Sequence, residues 1–178
     1  MVVSEEDSDE NTLELKWGSK MGKIVSIIQS ILNDDDADPE SKKILVYSQW
    51  EDSLFILAHV LKWVLDGRLI LRESNIRYLV MNRTKHYENT FQFRNDPKIP
   101  VFLMRLQQGN NGLDLSVATH VIVMEPVLSA SISEDAWLWI AVEAQAVSRV
   151  KRIGQRFVSY VHYVLVDGTI ESRMYGFC

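Results

Sequence analysis

The chain has 178 residues, of which 47% are apolar and 24% charged, a composition that fits one globular domain and excludes an intrinsically disordered protein. Its net charge of −5 at pH 7 excludes a protein that coats nucleic acid indiscriminately, although a local basic patch remains compatible with it. One cysteine, Cys178, and four dispersed histidines predict neither a disulfide framework nor a metal site, and they favour a reducing, intracellular setting.

The amino-terminal segment 1–18 is acidic and lacks the basic and apolar regions of a signal peptide. We expect it to be a flexible lead that precedes one domain over 19–178. The longest apolar stretch, 53–65, contains His59 and Lys62 and is too short to cross a bilayer. We therefore expect an intracellular protein with no membrane partner.

Helices and strands are predicted to alternate along the rest of the chain. A helix that begins at Ser19 carries an apolar stripe and ends at the acidic segment 33–39. The apolar run KILVYS over 43–48 predicts a strand buried on both faces, followed by a helix that Asp52 or Ser53 caps. Further strands are predicted over 76–81, 100–106, 119–124 and 157–166, and further helices over 84–95, 143–153 and 169–174. This alternation predicts an α/β fold, a doubly wound and mostly parallel sheet flanked by helices.

A glycine-rich segment follows the third predicted strand, where working groups collect in parallel sheets. It reads QQGNNGLDL over 107–115, which predicts a turn followed by a short helix. Gly109 and Gly112 bracket Asn110 and Asn111, so the backbone can adopt positive φ and approach a ligand closely. The amino end of the following helix would offer free N–H groups to a phosphate. On spacing alone, a tight turn without a ligand is the simpler interpretation.

The segment EAQAVSRVKRIGQ over 143–155 predicts a helix with Gln145, Arg149 and Arg152 on one face. Two guanidinium groups at this spacing suit a polyphosphate, because each planar group can bind two oxygen atoms in a fixed geometry. A solvated helix with two ordinary surface arginines is the alternative. Residues of a different face are apolar and can pack onto the sheet: Ala144, Val147 and Val150.

Six segments resemble, in order, the motifs of the carboxyl-terminal RecA-like lobe of Swi/Snf-type ATPases, a branch of the superfamily-two helicases. They are KILVYSQW, FRNDPKIPVFLM, GNNGLDL, THVIVMEP, EAQAVSRVKRIGQ and VLVDGTIESRM. The resemblance runs over about 19–174, nearly the whole chain. Within the family, GNNGL, ATHV and EPVL resemble a subgroup that combines a histone-linker domain, a plant-homeodomain finger, a RING finger and a split helicase.

The resemblance implies that the arginine helix acts on ATP held by another domain. Arg152 matches the family's arginine finger, Arg149 the helicase arginine one turn before it, and Gln145 the leading glutamine of the motif. In the family, these arginines reach the γ-phosphate of ATP, bound with Mg²⁺ mainly by the first RecA-like lobe. That first lobe is therefore an implied partner.

The resemblance also implies a nucleic-acid surface. Gly109, Gly112 and Asp114 match the loop that couples the nucleotide state to the DNA backbone, and Ser48 and Gln49 match a motif near the DNA strand. The predicted nucleic-acid contacts are Ser48, Gln49, Asn110 and Asn111.

The sequence departs from the family pattern in three places. Asp114 stands where most members have Asn, which places a negative charge near the expected phosphates. Arg105 replaces the usual small hydroxyl residue before the glycine-rich segment. The segment 129–142, SASISEDAWLWIAV, has no counterpart in the family and is either an insertion or an altered splice product.

The sequence has no G-x-x-x-x-G-K-[ST] loop for ATP phosphates and no acidic metal-binding motif after a strand. We therefore expect about half of an ATPase site, inactive alone: the second motor lobe of a nuclear, DNA-stimulated translocase that acts on duplex DNA or chromatin. The subgroup would make the parent protein a ubiquitin ligase linked to DNA-damage tolerance. A truncated or degenerate lobe that acts as a non-catalytic interaction module is the alternative. A third hypothesis, an unrelated dinucleotide-binding domain, conflicts with the lack of G-x-G-x-x-G after the first strand.

Overall fold

The computed structural model describes residues 17–65, 77–81, 84–110, 113–126, 144, 147–148, 150 and 155–175. Within these ranges, parallel strands form one five-stranded sheet in the order β2-β3-β1-β4-β5. The strands are β1 (Ile44–Ser48), β2 (Tyr78–Val80), β3 (Val101–Arg105), β4 (His120–Val123) and β5 (Tyr160–Tyr163). The α-helices are α1 (Ser19–Leu32), α2 (Glu51–Leu65), α3 (His86–Asn95) and α4 (Ile170–Tyr175), and 3₁₀ helices cover Pro39–Ser41 and Leu106–Asn110. The predicted α/β fold with a parallel sheet flanked by helices is confirmed.

Strand β1 lies at the centre of the sheet, with β3 on one side and β4 on the other. All five of its residues are buried, as the continuously apolar run predicts for a strand covered on both faces. Its side chains alternate between two core clusters: Ile44 and Val46 belong to the first, Leu45 and Tyr47 to the second.

The direction of each crossover decides which face of the sheet each helix covers. The connection from β1 to β2 runs towards one edge, whereas the later connections run towards the other edge. Right-handed crossovers in opposite directions place their segments on opposite faces. Accordingly α2, together with α1, packs on the first core cluster, while α3 contributes Phe93 to the second.

Only some of the described residues of the predicted arginine helix pack on the sheet as the sequence predicts. Ala144, Val147 and Ser148 are helical, and Val150 follows in a turn. Val150 is fully buried in the second core cluster, and Val147 packs against that cluster. Ala144 is exposed, so the predicted packing holds for the two valines and not for the alanine.

Two predicted helix starts have different outcomes. The prediction that Asp52 or Ser53 caps a helix is wrong, because α2 already begins at Glu51. The turn that leads into α2 is already formed at Trp50, since the Trp50 N–H donates to Ser48 Oγ over 3.0 Å. The helix predicted over 169–174 is present as α4, and Thr169 caps it: its Oγ1 accepts a hydrogen bond of 3.2 Å from the N–H of Glu171.

The boundary predicted between residues 18 and 19, where the acidic lead meets the domain, stays a prediction. Residues 1–16 are outside the described ranges, but Trp17 is described and packs against the first core cluster. Among the helices that are described, none combines the length and the apolar character that a membrane span requires.

Two histidines face each other across β4 and β5. His120 Nδ1 lies 3.2 Å from His162 Nε2, and the two rings are nearly parallel with centroids 5.5 Å apart. Burial lowers the pKa of His120 to about 4, with the neighbouring His162 as a second cause. Burial also lowers the pKa of His162. Both rings therefore favour the neutral form in the folded chain.

We expect the free energy of unfolding to fall as the pH decreases from about 6.5 to about 4. In that window the unfolded histidines bind protons and folded His120 does not, so acid favours the unfolded chain. With solvent screening taken into account, His120 should contribute roughly 1–2 kcal/mol. Urea unfolding across the window measures this.

The matched variants are His120→Gln and His59→Gln, because His59 is an exposed histidine on α2. His120→Gln should flatten the pH dependence, and His59→Gln should leave it as in the wild type. Glu125, whose pKa burial raises, contributes with the opposite sign in every variant and cancels in the comparison. Parallel curves for wild type and His120→Gln would contradict the role of the pair.

Candidate functional site

The carboxyl ends of β1 and β4 lie side by side where the strand order reverses. Crossovers leave β1 and β4 in opposite directions, and such a reversal opens a crevice at the carboxyl edge of an open α/β sheet. Ser48 ends β1, and Glu125 follows β4 by two residues. The candidate functional site is this edge.

Glu125 is the centre of the polar contacts at the edge. Ser48 Oγ donates to its Oε1 over 3.0 Å, and the Gln49 N–H lies 3.4 Å from its Oε2. The hydroxyl of Ser53 lies in the first turn of α2, near this carboxylate. Burial raises the pKa of Glu125, while the Ser48 and Ser53 hydroxyls, the Gln49 N–H and the positive charge of Lys20 lower it, with burial the largest cause. The site therefore holds a half-buried carboxylate that faces polar groups of the β1–α2 turn.

Ser48 and Gln49, two of the predicted nucleic-acid contacts, are directed into the protein. Their exposures are 2% and 9%, which leaves little of either side chain for a ligand. Ser48 Oγ is shared between Glu125 and the Trp50 backbone, and Gln49 Nε2 donates to the Pro126 carbonyl over 3.0 Å. Direct contact of these side chains with DNA stays a prediction, and it would require these internal bonds to open.

Ion pairs extend the polar contacts along the carboxyl edge to the neighbouring strands. Arg105, which ends β3, lies 3.5 Å from the carboxylate of Glu51 at the start of α2. Lys20 of α1 contacts both carboxylate oxygens of Glu171 at 2.6 Å, and Glu171 also accepts the Val166 N–H beyond β5. The end of β3 and the segment after β5 are thus linked to helices by polar groups, and the ends of β1 and β4 are linked to each other.

The glycine-rich segment differs from its prediction. A 3₁₀ helix covers Leu106–Asn110 before the turn, whereas the described residues 113–118 that follow it are not helical. Asp114 Oδ1 accepts hydrogen bonds from the Ser116 N–H at 3.2 Å and the Ser116 hydroxyl at 2.8 Å. Such a local side-chain bond competes with a helix, so the predicted short helix after the turn is wrong for this stretch.

Four residues in or next to this turn are predicted to contact a phosphate, and the structure describes two of them. Gly109 and Asn110 have a described backbone at the end of the 3₁₀ helix, whereas Asn111 and Gly112 lie outside the described residues. Their proposed contact with a phosphate stays a prediction.

The charge of Asp114 is paired. Arg94, in the last turn of α3, places its Nη1 2.7 Å from Asp114 Oδ2. The two side chains are 41% and 38% exposed, so the pair is worth at most about 1 kcal/mol. Its effect is electrostatic: the arginine offsets the negative charge that the sequence introduces beside the glycine-rich segment.

Gln145, Arg149 and Arg152 lie outside the described residues. Their predicted roles therefore stay predictions. The described neighbours Val147 and Val150 show that the segment returns to the sheet on the face of the second core cluster.

The described part of the edge does not form a phosphate site by itself. Its cation Arg105 is paired with Glu51, Glu125 is a further carboxylate, and the bonds of Ser48 and Gln49 are made within the protein. The described ranges also contain no cluster of three or more His, Cys, Asp or Glu side chains able to hold a metal ion.

Sequence reasoning missed the roles of Glu125, Lys20, Glu171 and Arg94. A carboxylate just after a buried strand, as in THVIVMEP, is a signal that could have identified Glu125. The Lys20–Glu171 contact joins residues 151 positions apart and has no local signal.

Comparison with known proteins gives relatives over nearly the whole chain. No protein-family model matches it. The chain is 34% identical over 175 residues to the E3 ubiquitin-protein ligase SHPRH of Homo sapiens, covering 98% of this chain and 9% of that protein. It is 33% identical over 135 residues to the DNA repair protein rad8 of Schizosaccharomyces pombe, covering 76% of this chain and 10% of that protein. The chain thus corresponds to a small part of each relative.

Solved structures show the same fold. The crystal structure of the C-terminal part of the Fun30 ATPase domain superposes with a TM-score of 0.68 at 21% identity, covering 89% of this chain and 44% of that one. The Sulfolobus solfataricus SWI2/SNF2 ATPase C-terminal domain gives a TM-score of 0.55 at 16% identity, covering 92% of this chain and 60% of that one.

Proposed function

The chain belongs by homology to the SNF2, or Swi/Snf-type, helicase-like ATPases and matches their carboxyl-terminal lobe near SHPRH, and from this premise we propose that it is the second motor lobe of a DNA-stimulated translocase. One observation carries the proposal. Over 89% and 92% of its length the chain superposes on the C-terminal parts of two SNF2 ATPase domains, and its sequence carries no G-x-x-x-x-G-K-[ST] loop, which supports a chain that supplies one side of a two-sided site.

On this proposal, ATP and Mg²⁺ are held mainly by a first RecA-like lobe, and Arg149 and Arg152 reach the γ-phosphate when the lobes close. Gln145 lies on the same predicted helix face. The described edge supports this division, because its cation Arg105 is engaged by Glu51 and the remaining carboxylate, Glu125, disfavours a polyphosphate bound by this lobe alone.

The proposed second partner is duplex DNA, bound by its phosphates independently of sequence. Asn110 and Asn111, between Gly109 and Gly112, would contact the backbone from the glycine-rich segment. The Arg94–Asp114 pair supports this proposal, since it reduces repulsion between Asp114 and a phosphate. Ser48 and Gln49 would act from the neighbouring strand end.

We extend the proposal to the longer protein of which this lobe would form a part. Relatives include an E3 ubiquitin-protein ligase and DNA repair proteins, which supports a nuclear protein that acts on DNA or chromatin during DNA-damage tolerance. A RING finger outside this chain would carry the ubiquitin ligase activity.

The test is to join the chain to the amino-terminal lobe of an SNF2 ATPase and to measure ATP hydrolysis with and without duplex DNA. We expect DNA-stimulated hydrolysis by the two-lobe protein and none by the 178-residue chain or by the other lobe. The first lobe alone, with the same DNA, is the control. Absence of stimulated hydrolysis in the joined protein would reject the motor function.

A non-catalytic interaction module is the second candidate, and one observation favours it. The polar atoms of Ser48 and Gln49 are engaged inside the chain and not displayed to a ligand. Under this alternative, the joined protein binds DNA or the first lobe without turning over ATP.

A further inference from the structure

We propose that Glu125 is a positioning residue that ties the carboxyl ends of β1 and β4 together and so holds the β1–α2 turn, where DNA contact is proposed, in one conformation. The inference rests on the proposed motor function, and in it the bonds of Ser48 and Gln49 to Glu125 hold the turn from which DNA contact is proposed.

The contacts of Glu125 join three elements through one side chain. Its Oε1 accepts from Ser48, the last residue of β1, and its Oε2 faces the N–H of Gln49 in the next turn. The hydroxyl of Ser53, in the first turn of α2, lies near the same carboxylate and lowers its pKa. A carboxylate near the amino end of this 15-residue helix is also favoured by the helix dipole.

The backbone adds a second tie in the same place. Gln49 Nε2 donates to the carbonyl of Pro126, so the residue after Glu125 is held as well. Further back, the Met124 N–H donates to the Tyr47 carbonyl over 2.9 Å, which continues the β1–β4 pairing to the end of the strands. The point at which the chain leaves β4 is therefore fixed against the end of β1.

The later packing of the chain lies nearer the other end of β4. Gln155 Nε2 donates to the Ala118 carbonyl over 2.7 Å and lies 3.5 Å from the Val150 carbonyl, and Ala118 precedes the first residue of β4. The contacts of Glu125 are therefore a property of the carboxyl edge, and we expect their loss to act on the β1–α2 turn.

The experiment compares Glu125→Ala and Glu125→Gln in the two-lobe protein. We expect Glu125→Ala to lower the DNA-stimulated kcat by about ten- to a hundredfold with little change in KM for ATP. Displacement of the β1–α2 turn should reduce DNA-stimulated turnover more than it reduces ATP binding. Glutamine has the same shape and keeps an acceptor oxygen, so Glu125→Gln should recover most of the stimulation. DNA-independent hydrolysis should change less than the stimulated rate.

A matched control separates positioning from general loss of stability. Ile44→Val removes one buried methylene at the amino end of the same strand, far from the edge, and should leave DNA stimulation as in the wild type. In the 178-residue chain, amide exchange of Gln49 and Trp50 should become faster in Glu125→Ala and stay unchanged in Ile44→Val.

Two results would overturn the inference: full DNA stimulation in Glu125→Ala, or an equal loss in Ile44→Val. If the wild-type two-lobe protein hydrolyses no ATP, the motor function fails and amide exchange decides the structural part. Faster exchange in Glu125→Ala then supports the tie between the strand ends, and unchanged exchange rejects it.

Discussion

Replacement of Arg152 by alanine in the two-lobe protein is expected to lower kcat for ATP hydrolysis by about 10³- to 10⁵-fold, while ATP binding stays mostly intact. An arginine finger acts on the charge that develops on the transferring phosphate in the transition state. Its loss therefore affects turnover far more than binding of the ground-state nucleotide. Steady-state hydrolysis with saturating duplex DNA and titration with a fluorescent ATP analogue measure the two quantities.

The control for this prediction is Arg156→Ala. Arg156 lies four residues further along the chain and is exposed, so it tests the loss of one positive charge in the same region without a predicted role at the phosphate. We expect the turnover of Arg156→Ala to remain within about twofold of the wild type, since salt screens the charge of an exposed side chain. Unchanged turnover in Arg152→Ala would remove the finger assignment.

Replacement of Val150 by aspartate is expected to lower the free energy of unfolding by about 3–5 kcal/mol. Val150 is 0% exposed and lies in the second core cluster, where no described cation is positioned to pair with a new carboxylate. A loss of this size is a large fraction of the stability of an ordinary domain. Urea unfolding of the 178-residue chain measures it.

Val158→Asp is the matched control, because the same substitution is made at a valine that is 69% exposed. Its effect should remain within about 0.5 kcal/mol. The milder Val150→Ala tests function in a folded protein: if the core packing of Val150 positions the arginines, DNA-stimulated turnover of the two-lobe protein should fall. Equal stability of the two aspartate variants would show that Val150 does not anchor the segment.

The fold was largely predictable because its signals are local. KILVYS is apolar at every position, and a strand of that kind is stable only in the middle of a sheet covered on both faces. The apolar stripe of α1 repeats with the helical period, so its boundaries follow from Ser19 and the acidic segment after Leu32. Conversely, the helix predicted after the glycine-rich turn fails because one side chain, Asp114, bonds locally to Ser116.

The candidate site was predictable only in its location. Parallel strands place their carboxyl ends at one edge, so the sequence could indicate that Ser48 and Gln49 lie there. It could not indicate that both side chains are buried, since their partners Glu125 and Pro126 are about 77 positions away.

The sequence by itself determined the α/β class, the order of the elements and the homology to a helicase lobe, because periodicity and motif order are properties of consecutive residues. Only the tertiary structure decided that Glu125 is half-buried and bonded to β1, that Lys20 pairs with Glu171, and that Arg94 offsets Asp114. Each of these contacts joins residues that the chain brings together only after its crossovers are formed, and both burial and pairing of a charge depend on that arrangement.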